Sequence, residues 1–390
     1  MKNSCILLIM IAVLFSRCTS MRQETRITTG AERIGEYLPL IKDKTVGIVA
    51  NQTSMVYNRH LVDTLLSMGV NIKVIFAPEH GFRDLADDGA VIQGGTDPVT
   101  GIKIISLYTS NKKPLPEDLE GLDYVIYDIQ DVGTRFYTYL TTMCYVMESC
   151  AENDVKVLIL DRPNPNGYYV DGPVLDTAFR SFVGIHEVPV VHGMTLGEYA
   201  TMTNGEGWLK NGVKCDLTVI RCLNYNHSAL YSLPVKPSPN LPNMNAIYLY
   251  PSICFSEGTV LSCGRGTPFA FQVLGAPQMP DKGFSFTPAP SPGAANPKYN
   301  GIVCYGTDLR NALNEGLVPK PQINLEWIIN AYNDYPDKEN FFTSYFDTLA
   351  GSTKLREQIQ QGMSAEDIRA SWKPELETFM KIREKYLLYN

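Results

Sequence analysis

Four carboxylates stand at or just beyond apolar runs that read as strands: Glu79, Asp128, Asp131 and Asp161. Glu79 heads the string Glu79-His80-Gly81. A carboxyl group whose solvation is limited by apolar neighbours has a raised pKa and serves as a general acid near neutrality. Beside it His80 could orient the acid or bond a substrate, and Gly81 would let backbone approach closely. The same residues have a plainer use, with Glu79 capping the following turn and His80 a satisfied surface histidine. Spacing alone favours neither. Asp128 and Asp131 flank the tight turn Asp128-Ile129-Gln130-Asp131-Val132-Gly133, which leads to Arg135. Paired carboxylates of this kind bind sugar hydroxyls or work as a base. One such cluster with no matching histidine is a poor metal site, and the five histidines are not spaced as ligands. Neither a metal nor an organic cofactor is expected.

Further along, Asp161-Arg162-Pro163-Asn164 forms a rigid turn at another strand end, and Asp171-Gly172-Pro173 follows closely. An Asp161–Arg162 network that merely fixes a loop is a serious alternative there. His192 opens a segment in which Thr195 and Glu198 stand in capping-box register, so Glu198 has a structural task available. In the second half Ser238-Pro239-Asn240, Glu257 and the loop Gly264-Arg265-Gly266 stand out. Arg265, set between glycines, can present its five donors to an anionic group. The G-x-S-x-G elbow of serine hydrolases is missing, and no cysteine has a setting that suggests a nucleophile.

The elements that must position these groups alternate. Strand-like runs at 45–50, 71–77, 102–107, 124–129 and 155–160 are separated by helical stretches at 59–68, 114–119 and 136–151. Apolar strands without a clean alternation of faces predict an α/β fold with a Rossmann-like, mainly parallel sheet covered on both sides. Ligands of such sheets bind at the rim formed by the C-terminal strand ends. The glycine fingerprint for dinucleotides and the Walker A run are both absent, so a nucleotide is not the expected ligand. From Asp216 the texture changes. A strand at 216–221 precedes a long stretch rich in proline, glycine and aromatic residues, then helical pattern at 308–316, 325–333, 352–361 and 374–386. The expected organisation is a leader over 1–20, a Rossmann-like domain over 30–215, and a smaller mixed α+β domain over 216–390. The active-site cleft would lie between the two domains.

The chain carries 34 Lys plus Arg against 41 Asp plus Glu, a mild acidity that argues against nucleic acid. Lys2 followed by eleven apolar residues, Cys5 to Phe15, has the length of a signal h-region and not of a membrane span. Two processing readings stand. Cys18-Thr19-Ser20 offers small residues for cleavage, and Phe15-Ser16-Arg17-Cys18 is a loose lipobox that would lipidate Cys18 and anchor the protein to a membrane. Either implies an exported, periplasmic protein. The cysteines beyond the leader are Cys144, Cys150, Cys215, Cys222, Cys254, Cys263 and Cys304, an odd number without CxxC spacing, expected as buried thiols.

The strings Pro78-Glu79-His80-Gly81-Phe82-Arg83, Asp128 to Tyr139, Asp161 to Gly167, Val170-Asp171-Gly172-Pro173, His192 to Glu198, Pro237 to Pro242, Glu257-Gly258-Thr259 and Gly264 to Phe269 occur in order. Together they resemble the NamZ-like exo-β-N-acetylmuramidase family of glycoside hydrolases, over nearly the whole chain. The resemblance implies a Rossmann-like domain, a smaller C-terminal domain and a cleft between them. It also implies removal of N-acetylmuramic acid (MurNAc) from non-reducing ends of peptidoglycan fragments such as MurNAc–GlcNAc. The family's catalytic glutamate falls on Glu79 and its adjacent histidine on His80. Asp128 is then the leading second carboxylate, with Asp131 and Glu257 as alternatives. Arg162 and Arg265 lead as readers of the lactyl carboxylate, with Arg135 behind them, and Asp131, Asp161, Asn164, Asp171, His192, Asn240 and Glu257 are candidate substrate contacts. Val235 and Ala270 depart from the family pattern, which commonly has tryptophan and an acidic residue there. The competing readings are an inactive peptidoglycan-binding lipoprotein and a hydrolase of another N-acetylated sugar.

Overall fold

Seven strands make one sheet: β1 (Thr45–Ala50), β2 (Asn71–Ala77), β3 (Gly95–Thr96), β4 (Lys103–Ser106), β5 (Tyr124–Asp128), β6 (Lys156–Leu160) and β7 (Leu217–Ile220). Their order is β7-β6-β5-β1-β2-β4-β3, with every pair parallel except β3, which runs antiparallel to β4. The computed structural model describes residues 26–83, 94–108, 111–313 and 320–389, so the leader and Cys18 lie outside the described residues. Side chains alternate across a strand, and here both faces are covered. In β5, Val125 and Tyr127 enter one apolar cluster while Ile126 enters the other, and β6 splits Val157 and Ile159 from Leu158 and Leu160 in the same way. This double burial is why the strands read as unbroken apolar runs.

From β1 the chain builds outward through β2 and β4, then returns to place β5 on the other side of β1. The reversal sets a topological switch point at the C-terminal ends of β1 and β5. Helix α1 (Tyr139–Glu152) packs on the sheet and is buried at nearly every position. It begins three residues later than the periodicity predicts. The preceding residues are diverted to pair with another segment, the Arg135 amide bonding the Val190 carbonyl at 2.8 Å and Thr134 bridging Val191. A similar diversion shortens the helix predicted from residue 59. Arg59–His60 pairs with Met55–Val56, and the helix runs only over Leu61–Ser67.

The strand predicted at 216–221 forms, but it is the sheet's edge. The sheet therefore continues past the boundary placed at 216. The chain then forms α2 (Met244–Ile253) and a three-stranded antiparallel sheet, β8 (Val273–Ala276), β9 (Ser285–Phe286) and β10 (Cys304–Asp308), in the order β8-β10-β9. Asp308, predicted to open a helix, instead ends β10, where it pairs with Val273; residues 314–316 of that prediction lie outside the described residues. Among the described residues four α-helices follow: α3 (Glu326–Asp334), α4 (Ser344–Ala350), α5 (Lys354–Gln360) and α6 (Ala365–Arg383). The last starts well before the predicted 374, since the Ser364 hydroxyl caps it by accepting from the Asp367 amide at 3.1 Å and Pro374 lies inside it on an exposed side. The seven cysteines beyond the leader are buried free thiols.

One apolar cluster runs without a break from Val125 and Tyr127 of the large sheet to Phe346, Leu349 and Trp372 of the C-terminal helices. Arg135 adds a polar tie across the same boundary. Its fully buried guanidinium donates to the carbonyls of Pro173 and Val188 at 2.8 Å, and of Leu349 and Ala350 at 2.9 Å. Removing it would leave four buried carbonyls short of a donor. Arg135→Met is expected to lower unfolding free energy by roughly 3 kcal/mol or more, measured by urea denaturation; a loss below about 1 kcal/mol would show that water replaces these bonds.

Candidate active site

Beyond β2 the chain turns sharply at Pro78, with the Gly81 amide bonding the Pro78 carbonyl at 3.1 Å. His80 and Gly81 both take left-handed backbone conformations, φ 69° and 92°. Gly81 does so without a side-chain clash, whereas His80 carries the kind of backbone strain that persists where surroundings over-determine a conformation. The turn throws Glu79 out from the sheet rim while leaving it 8% exposed. Its Oε2 accepts a hydrogen bond of 2.6 Å from the Thr138 hydroxyl, just ahead of α1. The Tyr139 hydroxyl lies 3.4 Å from the Glu79 carbonyl and 3.3 Å from that of Pro237, joining the turn to the second half.

The facing wall comes from that second half. Glu257 sits in the short helical turn Cys254–Gly258 that continues α2, and its Oε1 accepts from Arg265 Nε at 2.7 Å. The Arg265 guanidinium also lies 5.0 Å from the centre of the Phe271 ring. Glu79, His80, Thr138, Glu257 and Arg265 line one cleft of about 170 Å³, with Tyr345 at 41% exposure among its aromatic walls. The phenols of Tyr137 and Tyr250, also in the wall, are held well above their ordinary pKa, first by burial and then by nearby acidic groups. They remain protonated at neutral pH and available as donors. The cleft therefore offers two carboxylates, a guanidinium fixed by one of them, hydroxyl donors and aromatic faces. That set suits a polar, ring-shaped ligand bearing an anionic group.

The other sequence-selected residues lie elsewhere, each with partners of its own. Asp128 is fully buried at the switch point, its two oxygens accepting from Arg162 Nε at 2.6 Å and Nη2 at 2.9 Å. Burial works to discharge Arg162, but Asp128 outweighs it and raises the arginine pKa. The Arg162 side chain is thus spent on Asp128, while its amide donates to Asp161 Oδ1 at 3.0 Å. Both carboxylates therefore fix the loop, as the Asp161–Arg162 network considered from sequence would, and neither Asp128 nor Arg162 lines the cleft. Asp161 also accepts from Thr195, the Gly197 amide and the Tyr389 hydroxyl, at 2.7, 2.9 and 2.6 Å. Arg135 spends its guanidinium on carbonyls, as described above. Asp171 pairs with Arg369 and accepts from the Ile323 amide at 2.6 Å. Asn164 donates to the Met194 carbonyl at 2.8 Å, and Asn240 donates to that of Gly293 at 2.8 Å while its neighbours Ser238 and Leu241 reach the cleft. His192 is fully buried and accepts from the Met194 amide at 3.2 Å, with burial pushing its pKa down to about 3. Glu198 completes the capping box with Thr195.

Two family models account for this layout. The model described as exo-β-N-acetylmuramidase NamZ, N-terminal, matches residues 46–245, and its C-terminal counterpart matches 248–389. The chain belongs to the NamZ family. As a member of that family it is a glycoside hydrolase. A curated relative, peptidoglycan β-N-acetylmuramidase NamZ of Bacillus subtilis (strain 168), is 35% identical over 94% of this chain and 92% of its own. A solved DUF1343 family protein from Bacteroides fragilis NCTC 9343 is 48% identical, with a TM-score of 0.87 over 94% of this chain and 99% of that one. A second DUF1343 family protein of the same organism is 28% identical, with a TM-score of 0.77 over the same shares. The junction between the two NamZ models, at 245–248, falls at the start of α2 and after β7, where the large sheet has ended.

Sequence reasoning missed Thr138, Tyr108, Tyr250 and Tyr345 as parts of the cleft. Thr138 and Tyr139 belong to the family string ending at Tyr139, but nothing in their spacing shows that one meets the Glu79 side chain and the other its carbonyl. Asp131 has a different outcome. Its Oδ2 accepts from the Gly133 amide at 2.6 Å, while Oδ1 is buried and, among the described residues, has no hydrogen-bond partner. Burial pushes its pKa up to about 7 against two opposing backbone hydrogen bonds. An unfolded aspartate titrates near pH 4, so the folded protein holds this proton more tightly. Its contribution to stability is present below about pH 4 and lost as pH rises through about 7. Asp131→Asn should therefore gain stability relative to the parent on going from pH 5 to pH 8 in paired denaturant titrations. A constant difference would mean that Asp131 does not titrate in this window.

Proposed function

We propose that the enzyme hydrolyses the β-glycosidic bond of a non-reducing-end MurNAc residue in peptidoglycan fragments, releasing MurNAc from substrates such as MurNAc–GlcNAc. The observation that carries this reading is the shared cleft, where Glu79 from the sheet rim faces the Glu257–Arg265 pair of the second domain. The similarity to the peptidoglycan β-N-acetylmuramidase NamZ of Bacillus subtilis supports it. The leader's composition supports an exported, periplasmic setting, with Cys18 as the point of lipid attachment.

Glu79 acts as the acid. It gives its proton to the glycosidic oxygen as the bond to the anomeric carbon breaks, with Thr138 holding the carboxyl in place. Glu257, one oxygen engaged by Arg265, is better placed to hold charge and orientation than to attack carbon. The acetamido oxygen of MurNAc then bonds the anomeric carbon, as in other substrate-assisted glycosidases. Water attacks that carbon and loses a proton to Glu79, the acetamido group is released, and the product forms with retained configuration. Glu79→Gln should lower hydrolysis of MurNAc–GlcNAc by about 10²-fold or more with binding largely kept, and freshly released MurNAc should be the β-anomer by NMR. A folded wild-type sample that binds the disaccharide without cleaving it would establish a binding protein instead. Cleavage of GlcNAc glycosides in preference to MurNAc would establish a different N-acetylated sugar as substrate, and an α-anomer would exclude the retaining course.

Arg265 is the reader of the lactyl carboxylate, the group that separates MurNAc from GlcNAc. Charge-assisted, planar recognition is lost on replacing guanidinium by ammonium. Arg265→Lys should cut kcat/KM on MurNAc–GlcNAc about tenfold or more, while binding of an analogue lacking the lactyl group stays within about twofold. Equal losses on both ligands would make Arg265 a structural partner of Glu257 only.

A further inference from the structure

The catalytic cleft has a larger neighbour. A cavity of about 540 Å³, within the range of pockets that hold small ligands, is lined by the aromatic rings of Tyr145, Phe182 and Trp208 and by Arg180 and Lys210. Only a short turn divides it from the cleft. Ser181 and Gly184 exchange backbone hydrogen bonds of 2.9 and 3.1 Å, leaving Phe182 and Val183 at the tip. Phe182 lines the larger cavity and Val183 lines the cleft. The turn is firmly seated, since a Cβ on buried Gly184 would come within 3.2 Å of the Arg135 side chain. Tyr108 of the cleft wall continues the aromatic surface across the divide, its ring 5.8 Å from Phe182, which in turn lies 6.1 Å from Tyr145.

The cavity's charge is cationic at its edge. Glu148 is engaged by Lys113 at 2.6 Å and by the Lys210 amide at 2.8 Å, which takes up the carboxylate in the wall. Lys112 lies 4.0 Å from the centre of the Phe182 ring and 5.7 Å from that of Tyr108, and Arg180 is exposed one residue before the turn. Half-buried aromatic faces beside ammonium and guanidinium groups fit a ligand with apolar ring faces and recurring carboxylates. An enzyme that removes the terminal sugar from the non-reducing end leaves only the reducing-side remainder of the chain to be held elsewhere. From this, and resting on the exo-muramidase reading above, we infer that the Phe182 cavity is a distal glycan subsite. It takes sugar units beyond the scissile bond and makes the enzyme more efficient on longer fragments than on the disaccharide.

The test compares MurNAc–GlcNAc with the tetrasaccharide MurNAc–GlcNAc–MurNAc–GlcNAc on the full chain. Wild type should show a higher kcat/KM for the tetrasaccharide. Arg180→Ala combined with Phe182→Ala should reduce that value about tenfold, the size of one or two lost stacking or charge-assisted contacts, with the disaccharide value kept within about twofold. Unchanged disaccharide kinetics also reports that the variant is folded, and Phe182→Tyr should keep the preference. Equal kcat/KM for both substrates in wild type, or parallel losses on both in the variant, would overturn the inference. So would a loss confined to disaccharides carrying a stem peptide, since the cavity would then be a peptide pocket. A second readout does not need turnover. In Glu79→Gln, the fluorescence of Trp208 should change on binding the tetrasaccharide and not the disaccharide, and the change should vanish in Trp208→Phe. If wild type cleaves neither sugar but this signal appears, the catalytic reading fails and the glycan subsite stands; no signal with normal cleavage sinks the subsite alone.

Discussion

Among the polar ties that the described residues make between the two halves of this protein, the Arg135 guanidinium is the one that bonds four main-chain carbonyls from both sides at once. Arg135 fills its environment with four main-chain carbonyls, two from the hairpin region around Pro173 and Val188 and two from the end of α4. Burial without a counter-ion brings its pKa down to about 9, so the cost of desolvation is real and is met only by hydrogen bonds. The Glu79–Glu257 cleft depends on that arrangement because its walls come from opposite sides of the tie. Glu79 and Thr138 stand on the sheet side, whereas Glu257, Arg265 and Tyr345 stand on the other. Small rotations between halves would change the distance between the two carboxylates, and glycoside chemistry is sensitive to that distance.

Most of the scaffold was legible in the sequence because burial on both faces leaves a clear trace. The runs at 45–50, 71–77 and 124–129 lie within a residue of the observed strands. Elements were mislocated where a tertiary partner claimed residues that local pattern would assign otherwise. The start of α1 yields to pairing with Val190–Val191, and Asp308 yields to Val273 across β8 and β10. Likewise, the edge strand β7 looks in sequence like the beginning of a new texture, since its neighbours in sequence belong to the loops that follow.

The site was legible by residue type and much less by assembly. Strand-end position drew attention equally to Glu79, Asp128 and Asp161, but position along a strand does not reveal which way the following turn sends a side chain. Pro78 and Gly81 send Glu79 into the cleft. Arg162 closes over Asp128, and Thr195 with Tyr389 closes over Asp161. The partners that decide these fates lie 34 to 228 residues away in the chain, at separations no local pattern encodes. Arg265 and Glu257 were each visible as chemistry-bearing residues, and their pairing at eight residues' separation was not.

The Asp128–Arg162 pair has a consequence for how this sheet is used. In related architectures the gap between the two central strands is left open and a phosphorylated ligand fills it. Here Asp128 at the end of β5 is covered by Arg162 from the loop after β6, and the same guanidinium reaches over to the Met55 carbonyl beyond β1 at 3.0 Å, so the protein's own charges occupy that gap. The fold's default ligand position is thereby filled, and the open cleft lies sideways at the end of β2, where the second half of the chain supplies a wall. A scaffold that seals the crevice in this way gains a rigid, charged floor, with Asp128 fully buried and Arg162 nearly so, and leaves the neighbouring rim as the open position.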